Sequence, residues 1–128
     1  MAAPSKGAAG EVAASRYLRE RGYTPVATNY RCRFGEIDLI VRDKKYFVFV
    51  EVKCRQPDAR YAPRDAVTVT KQRKILATAS LYLATHPTAL QPRFDVVEVV
   101  AWAHDPLHPI EINHIPGAFE AGDLHAAF

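Results

Sequence analysis

The chain has 128 residues, of which 48% are hydrophobic and 24% charged, enough apolar chain to bury one domain core and too much for a disordered one. A net charge of +3 and a sequence pI near 9.0 give only a mild bias toward polyanionic partners. No apolar run reaches the roughly 18 residues of a membrane span, and "MAAPSKGAAGEVAASRYL" lacks the apolar centre of a secretory signal, so the expectation is a cytoplasmic protein with no membrane segment.

"SKGAAGEVAASRYLRERGY" reads as a first helix. Ala9, Val12, Ala13 and Tyr17 recur at helical spacing and predict its buried stripe, and Gly22 sits at the C-cap. "YTPVATNY" is a short extended piece whose Pro25 belongs at a sheet edge. "GEIDLIVR" and "KYFVFVEVK" are strands rich in β-branched and aromatic residues, joined by the polar turn "RDKK". "CRQPDARYAPRDAVT" is a loop. "TVTKQRKILATASLYLATH" is a second helix, with Ile75, Leu76, Ala79, Tyr82 and Leu83 as its buried stripe. "RFDVVEVVAW" is a further strand, and "HDPLHPIEINHIPGAF" leaves room for a short strand around Ile110–His114. The expected fold is α/β, a mixed central sheet flanked by helices, in a single domain over 1–128 with a weakly patterned tail from about residue 103. The strand–helix–strand step through the second helix calls for a right-handed crossover between parallel strands.

Cys32 and Cys54 are too far apart for a CxxC pair and too few for a disulfide framework, which predicts two reduced thiols. The chemistry is carried by charges inside the two central strands. Strict alternation puts Glu36, Asp38 and Ile40 on one face of the first, and Phe47, Phe49, Glu51 and Lys53 on one face of the second. A hairpin loop of two or four residues makes these the same face, with Asp38 and Glu51 about 5–8 Å apart. Two such carboxylates repel unless a cation lies between them. An all-oxygen ligand set suits Mg²⁺ or Mn²⁺ better than Zn²⁺. A lysine beside it suits metal-assisted phosphodiester hydrolysis. The same pattern fits a solvated face with cross-strand ion pairs, and the residues alone leave both readings open.

An aspartate followed a dozen residues later by Glu-Xaa-Lys resembles the PD-(D/E)xK nuclease superfamily. "GEVAASRYLRERGY", "NYRCRFGEIDLIV", "FVFVEVKCR", "AVTVTKQRKI" and "RFDVV" together resemble the YraN-like family of small bacterial proteins, from about Gly7 to Val100. That resemblance implies a restriction-endonuclease-like fold similar to archaeal Holliday-junction resolvases. It makes Asp38 and Glu51 metal ligands and catalytic residues, and Lys53 the catalytic lysine. Glu11, Glu36 and the carbonyl of Val52 would complete the metal shell. Ile37 stands where the superfamily name has proline.

The expected function is a Mg²⁺- or Mn²⁺-dependent, resolvase-like endonuclease acting on branched or duplex DNA, for which a homodimer would be suited. The alternatives are a non-catalytic nucleic-acid-binding module and a protein-interaction domain. Arg31, Arg33, Arg55, Arg60, Arg64, Lys71, Gln72, Arg73 and Lys74 form a candidate phosphate-binding rim, against the plain alternative of a solvated basic surface. Pro106 and Pro109 keep His104, His108 and His114 from forming a helical metal cluster. Asp95 is expected to be a structural or exposed carboxylate, with support of the sheet edge or of the site as the alternative, Cys54 to be a small core or edge residue, and Trp102 and Tyr82 to lie in the core.

Overall fold

The computed structural model describes residues 6–59 and 67–120. They form α1 (Lys6–Glu20), β1 (Thr24–Cys32), β2 (Gly35–Arg42), β3 (Tyr46–Arg55), α2 (Val69–Thr85), β4 (Gln91–Val100) and β5 (Glu111–Phe119). The five strands make one sheet in the order β1-β2-β3-β4-β5. Only β3 and β4, on either side of α2, run parallel. The fold is the mixed α/β arrangement expected. Arg60 and Arg64 lie outside the described residues.

The helices cover opposite faces. Ile75, Leu76, Ala79 and Tyr82 of α2 pack on Ile40, Phe47, Phe49, Phe94 and Val96. Ala14 and Leu18 of α1 pack on Leu39, Val41, Val48, Val50, Val97 and Val99. Buried on both faces, β3 and β4 read as near-continuous apolar runs, as inner parallel strands do. The α2 stripe holds as predicted, with Leu83 at its margin. The α1 stripe holds in part: Ala9 is buried and Ala13 and Tyr17 pack at its margin, but its centre is Ala14 and Leu18, and Val12 is 52% exposed.

The chain enters and leaves these elements by local chemistry. After α1, Tyr23 N–H donates to Leu18 O and Gly22 N–H to Arg19 O, with Gly22 at φ 92, the pattern of a Schellman cap. Thr68 caps α2 by accepting the Lys71 N–H at 3.1 Å. At the β2–β3 turn the Asp43 carboxylate accepts the N–H groups of Tyr46 (2.7 Å) and Lys45 (2.8 Å), which hold its pKa below the usual range.

Two expectations fail at the periphery. β5 is a full nine-residue strand, hidden in the sequence by Pro116 and Gly117; both are tolerated because it is an edge strand with a shifted register beside Phe94 and Val96. Trp102 is not a core residue: it is 40% exposed, in the loop after β4, stacked on His104. Among the described residues, no helix is long and apolar enough to cross a membrane.

Candidate metal centre

The hairpin register decides whether the strand charges meet. β2 and β3 pair from Arg42↔Phe47 to Leu39↔Val50. Carried one step further, that register sets Asp38 opposite Glu51. Here backbone pairing gives way: Val52 N–H donates to the Asp38 carboxylate (Oδ2, 2.8 Å). Alternation also breaks at this point. Ile37 packs with Ile40 against α2, not with Leu39 and Val41 as strict alternation required. Across β1, the pairs Thr28↔Leu39 and Tyr30↔Ile37 place Asn29 opposite Asp38. Asn29 has φ 52, a conformation that asparagine tolerates better than most residues.

One carboxylate oxygen from each of Glu11, Glu36 and Asp38 lies within 4.8 Å of the others. Glu11 comes from α1, and its place depends on how closely that helix approaches β3. A β-carbon added at Gly10 would overlap the Sγ of Cys54. Alanine normally gains a helix about 1 kcal/mol over glycine, but overpacking costs about 1–3 kcal/mol. Gly10→Ala is therefore expected to destabilise the protein by about 1–2 kcal/mol in urea unfolding. In a Cys54→Ala background the same change should be neutral or stabilising. A coupling energy near zero in that double-mutant cycle would overturn the close-approach argument.

Partners hold the acids in place. Asn29 Nδ2 donates to Glu11 Oε2 at 3.0 Å, and Arg31 Nε to Glu36 Oε2 at 2.8 Å. Glu51, 4% exposed, meets Lys53 Nζ at 3.3 Å and Lys71 Nζ at 3.5 Å. Among the described residues no ion pair reaches Asp38 or Glu11. Burial raises the Asp38 pKa from about 3.8 to about 7, helped by the charges of Glu51, Glu11 and Glu36 and opposed by the Val52 N–H. Asp38 thus sits in excess negative charge, with Lys53 and Lys71 drawn to Glu51 instead.

The candidate rim residues fall in different places. Lys71 reaches Glu51, while Arg73 and Lys74 are exposed on α2. Arg33 lies over the Phe34 ring at 4.8 Å. Gln72 is tied back to the loop, its Nε2 donating to Val67 O at 3.0 Å. Arg55 does not face the rim: its Nε lies 3.0 Å from Glu98 Oε2, and Glu98 is fully buried and also accepts from Asn113 Nδ2. Asp95 is structural and buried, bound by Arg93 and His114. His108 pairs with Asp105, and among the described residues no histidine joins a metal-ligating group. Neither cysteine is in a disulfide. Sequence reasoning missed Asn29, whose only signal is an asparagine interrupting an edge strand.

The match to known proteins agrees with the sequence motifs. The model of the family described as "Uncharacterised protein family UPF0102" matches residues 10–99, from the close-approach glycine through β4. A UPF0102 protein of Lachnoclostridium phytofermentans is 43% identical over 113 residues, 87% of this chain and 89% of its own length. One from Nocardia farcinica is 45% identical over 114 residues, 88% of this chain and 87% of its own. One from Symbiobacterium thermophilum reaches 51% over 94 residues, 73% of this chain and 80% of its own. The acids of α1, β2 and β3 thus lie within a matched segment that covers most of the chain, which belongs to the UPF0102 family, the YraN-like family its motifs resemble.

Proposed function

We propose that this protein is a divalent-metal-dependent nuclease that hydrolyses phosphodiester bonds of DNA. The observation that carries the reading is the convergence of Glu11, Glu36 and Asp38 from two elements, beside Glu51, with Asp38 raised to about 7. Three carboxylates gathered this way, with the charge of Glu51 also acting on Asp38, carry more negative charge than their neighbours offset, and a hard cation would supply what is lacking. The donor set fits Mg²⁺ or Mn²⁺: carboxylate oxygens, with the Val52 carbonyl as a further candidate, and no histidine or thiolate. Such an ion supplies Lewis acidity and a water of lowered pKa.

The chain's own groups do the rest. Asp38 and Glu51 would hold the ion from adjacent strands, next to the point where the β2–β3 pairs run out. Glu36 and Glu11 complete the shell, held by Arg31 and Asn29. Lys53, on the same strand face as Glu51, orients a water and offsets the charge that builds on phosphorus. Losing one such electrostatic group costs about 10²–10³ in rate. Lys53→Ala is therefore expected to cut turnover by that factor, measured on labelled branched, nicked, single-stranded and duplex DNA with and without Mg²⁺ or Mn²⁺. Cleavage equal in Lys53→Ala and wild type would remove the assigned role.

One observation favours a second reading, a nucleic-acid-binding module without turnover. Lys53 and Lys71 already face Glu51, which fits a charge-balanced structural cluster. Salt-sensitive DNA binding with no cleavage by the wild type in either metal would select it.

A further inference from the structure

The β1–β2 hairpin closes at Cys32↔Gly35, leaving Arg33 and Phe34 as a two-residue turn. Such turns favour glycine, asparagine and aspartate. Phe34 serves no evident structural purpose there: it belongs to neither core cluster and is 39% exposed. The turn is held from within, since Phe34 N–H donates to Cys32 Sγ at 3.4 Å. An open groove of about 590 Å³ runs between this turn and α2, lined by Arg31, Arg33, Phe34, Lys71 and Lys74 as well as by Glu36. Among the described residues its only carboxylate, Glu36, is paired with Arg31. Through Glu36 and Lys71 the groove is continuous with the acid cluster.

A backbone passing the acids would meet this row of cations and then an exposed ring. A phenyl ring makes no hydrogen bond to a base edge and could enter a stacked duplex only by prising base steps apart, but it offers a π-face at no such cost to a base that has left its stack. We infer that the groove binds a nucleic-acid strand with an unpaired nucleotide stacked on Phe34, so that the substrate carries a single-stranded segment next to the bond to be cut. The inference rests on the phosphodiesterase reading and narrows its substrate class. Arg33 supports the ring from its other side.

The test is fluorescence anisotropy with the wild-type chain in EDTA, using a labelled single strand, a flapped duplex and a blunt duplex. Base–aromatic stacking contributes about 1–3 kcal/mol per base. Phe34→Ala is thus expected to weaken binding to the two unpaired substrates about 5- to 150-fold, leave the blunt duplex within about twofold, and be rescued by Phe34→Trp. A 2-aminopurine in the unpaired segment should change its emission on binding wild type and not on binding Phe34→Ala. Equal losses on all three substrates, or none, overturn the inference and leave the nuclease reading standing. Absence of binding to every DNA at low salt overturns both.

Discussion

Asparagine in place of Asp38 is expected to stabilise the metal-free protein by about 2 kcal/mol at pH 8 and to abolish its response to Mg²⁺ or Mn²⁺. The carboxyl titrates at about 7 in the fold, against about 3.8 for an ordinary aspartate. The folded state therefore keeps a proton that the unfolded chain has released, from about pH 4 to 7. Stability must fall as pH rises through that window and stay low above it. The full shift is equivalent to about 4 kcal/mol, and solvent and the nearby lysines screen it to roughly half. Asp38→Asn cannot ionise, so its advantage is near zero below about pH 4, grows through the window and is complete at pH 8. A bound cation reverses the sign for the wild type, adding about 2.7 kcal/mol at a hundred times its dissociation constant. Urea unfolding of both proteins across pH, with and without metal, decides it. A gap between them that does not change from pH 5 to 8 removes the excess charge at Asp38. A wild type indifferent to both metals removes the metal site.

How much of this centre could be read in the sequence depends on the range of the interaction involved. Asp38, Glu51 and Lys53 are legible because one hairpin places them, and a turn of even length with strict pairing back to Leu39↔Val50 brings Asp38 to Glu51. Glu11 is one glutamate on a helix, with no periodic signal of its own. Its position depends on Gly10 lying against Cys54, a contact forty-four residues apart in sequence; only the family resemblance pointed to it. Arg55 reads as one more rim cation because the sequence does not state the β3–β4 register. That register puts a buried glutamate, Glu98, within 3.0 Å of it. The break in alternation at Ile37–Ile40 is invisible for a similar reason. Both neighbours of Asp38 are apolar, and only the left-handed Asn29 across the ladder marks the irregularity.

The second large effect lies away from the acids. Arg93 grips Asp95 with both arms of its guanidinium, Nε to Oδ1 at 2.8 Å and an Nη to Oδ2 at 2.7 Å, and donates to the Tyr23 hydroxyl at 2.7 Å. The ring of Tyr46 lies 4.6 Å below it. Asp95, fully buried, also takes His114 Nε2 at 2.7 Å and the Gly117 N–H at 3.0 Å. This network joins the end of α1, the start of β3, β4 and the edge strand β5, so β5 is fixed to the sheet by more than its irregular ladder. Arg93→Ala leaves a buried carboxylate without its cation and is expected to cost about 3–5 kcal/mol, a large share of the 5–15 kcal/mol typical of a domain. Arg93→Lys keeps the charge but loses the fork, and should cost about 1–3 kcal/mol. Replacing both partners, Arg93→Met with Asp95→Leu, should cost less than Arg93→Ala alone, because no unpaired charge remains. Burial alone would raise the Asp95 pKa, but His114, Arg93 and the Gly117 N–H together hold it below 3.8. The stabilisation is therefore present above the ordinary aspartate pKa and lost as pH falls through the lower, folded one. Urea unfolding at pH 7 should separate Arg93→Ala from wild type by the full amount, and the two should converge in stronger acid. A difference under about 1 kcal/mol at pH 7, or one that persists unchanged after Asp95 is protonated, would show that the ion pair is not what holds β5 in place.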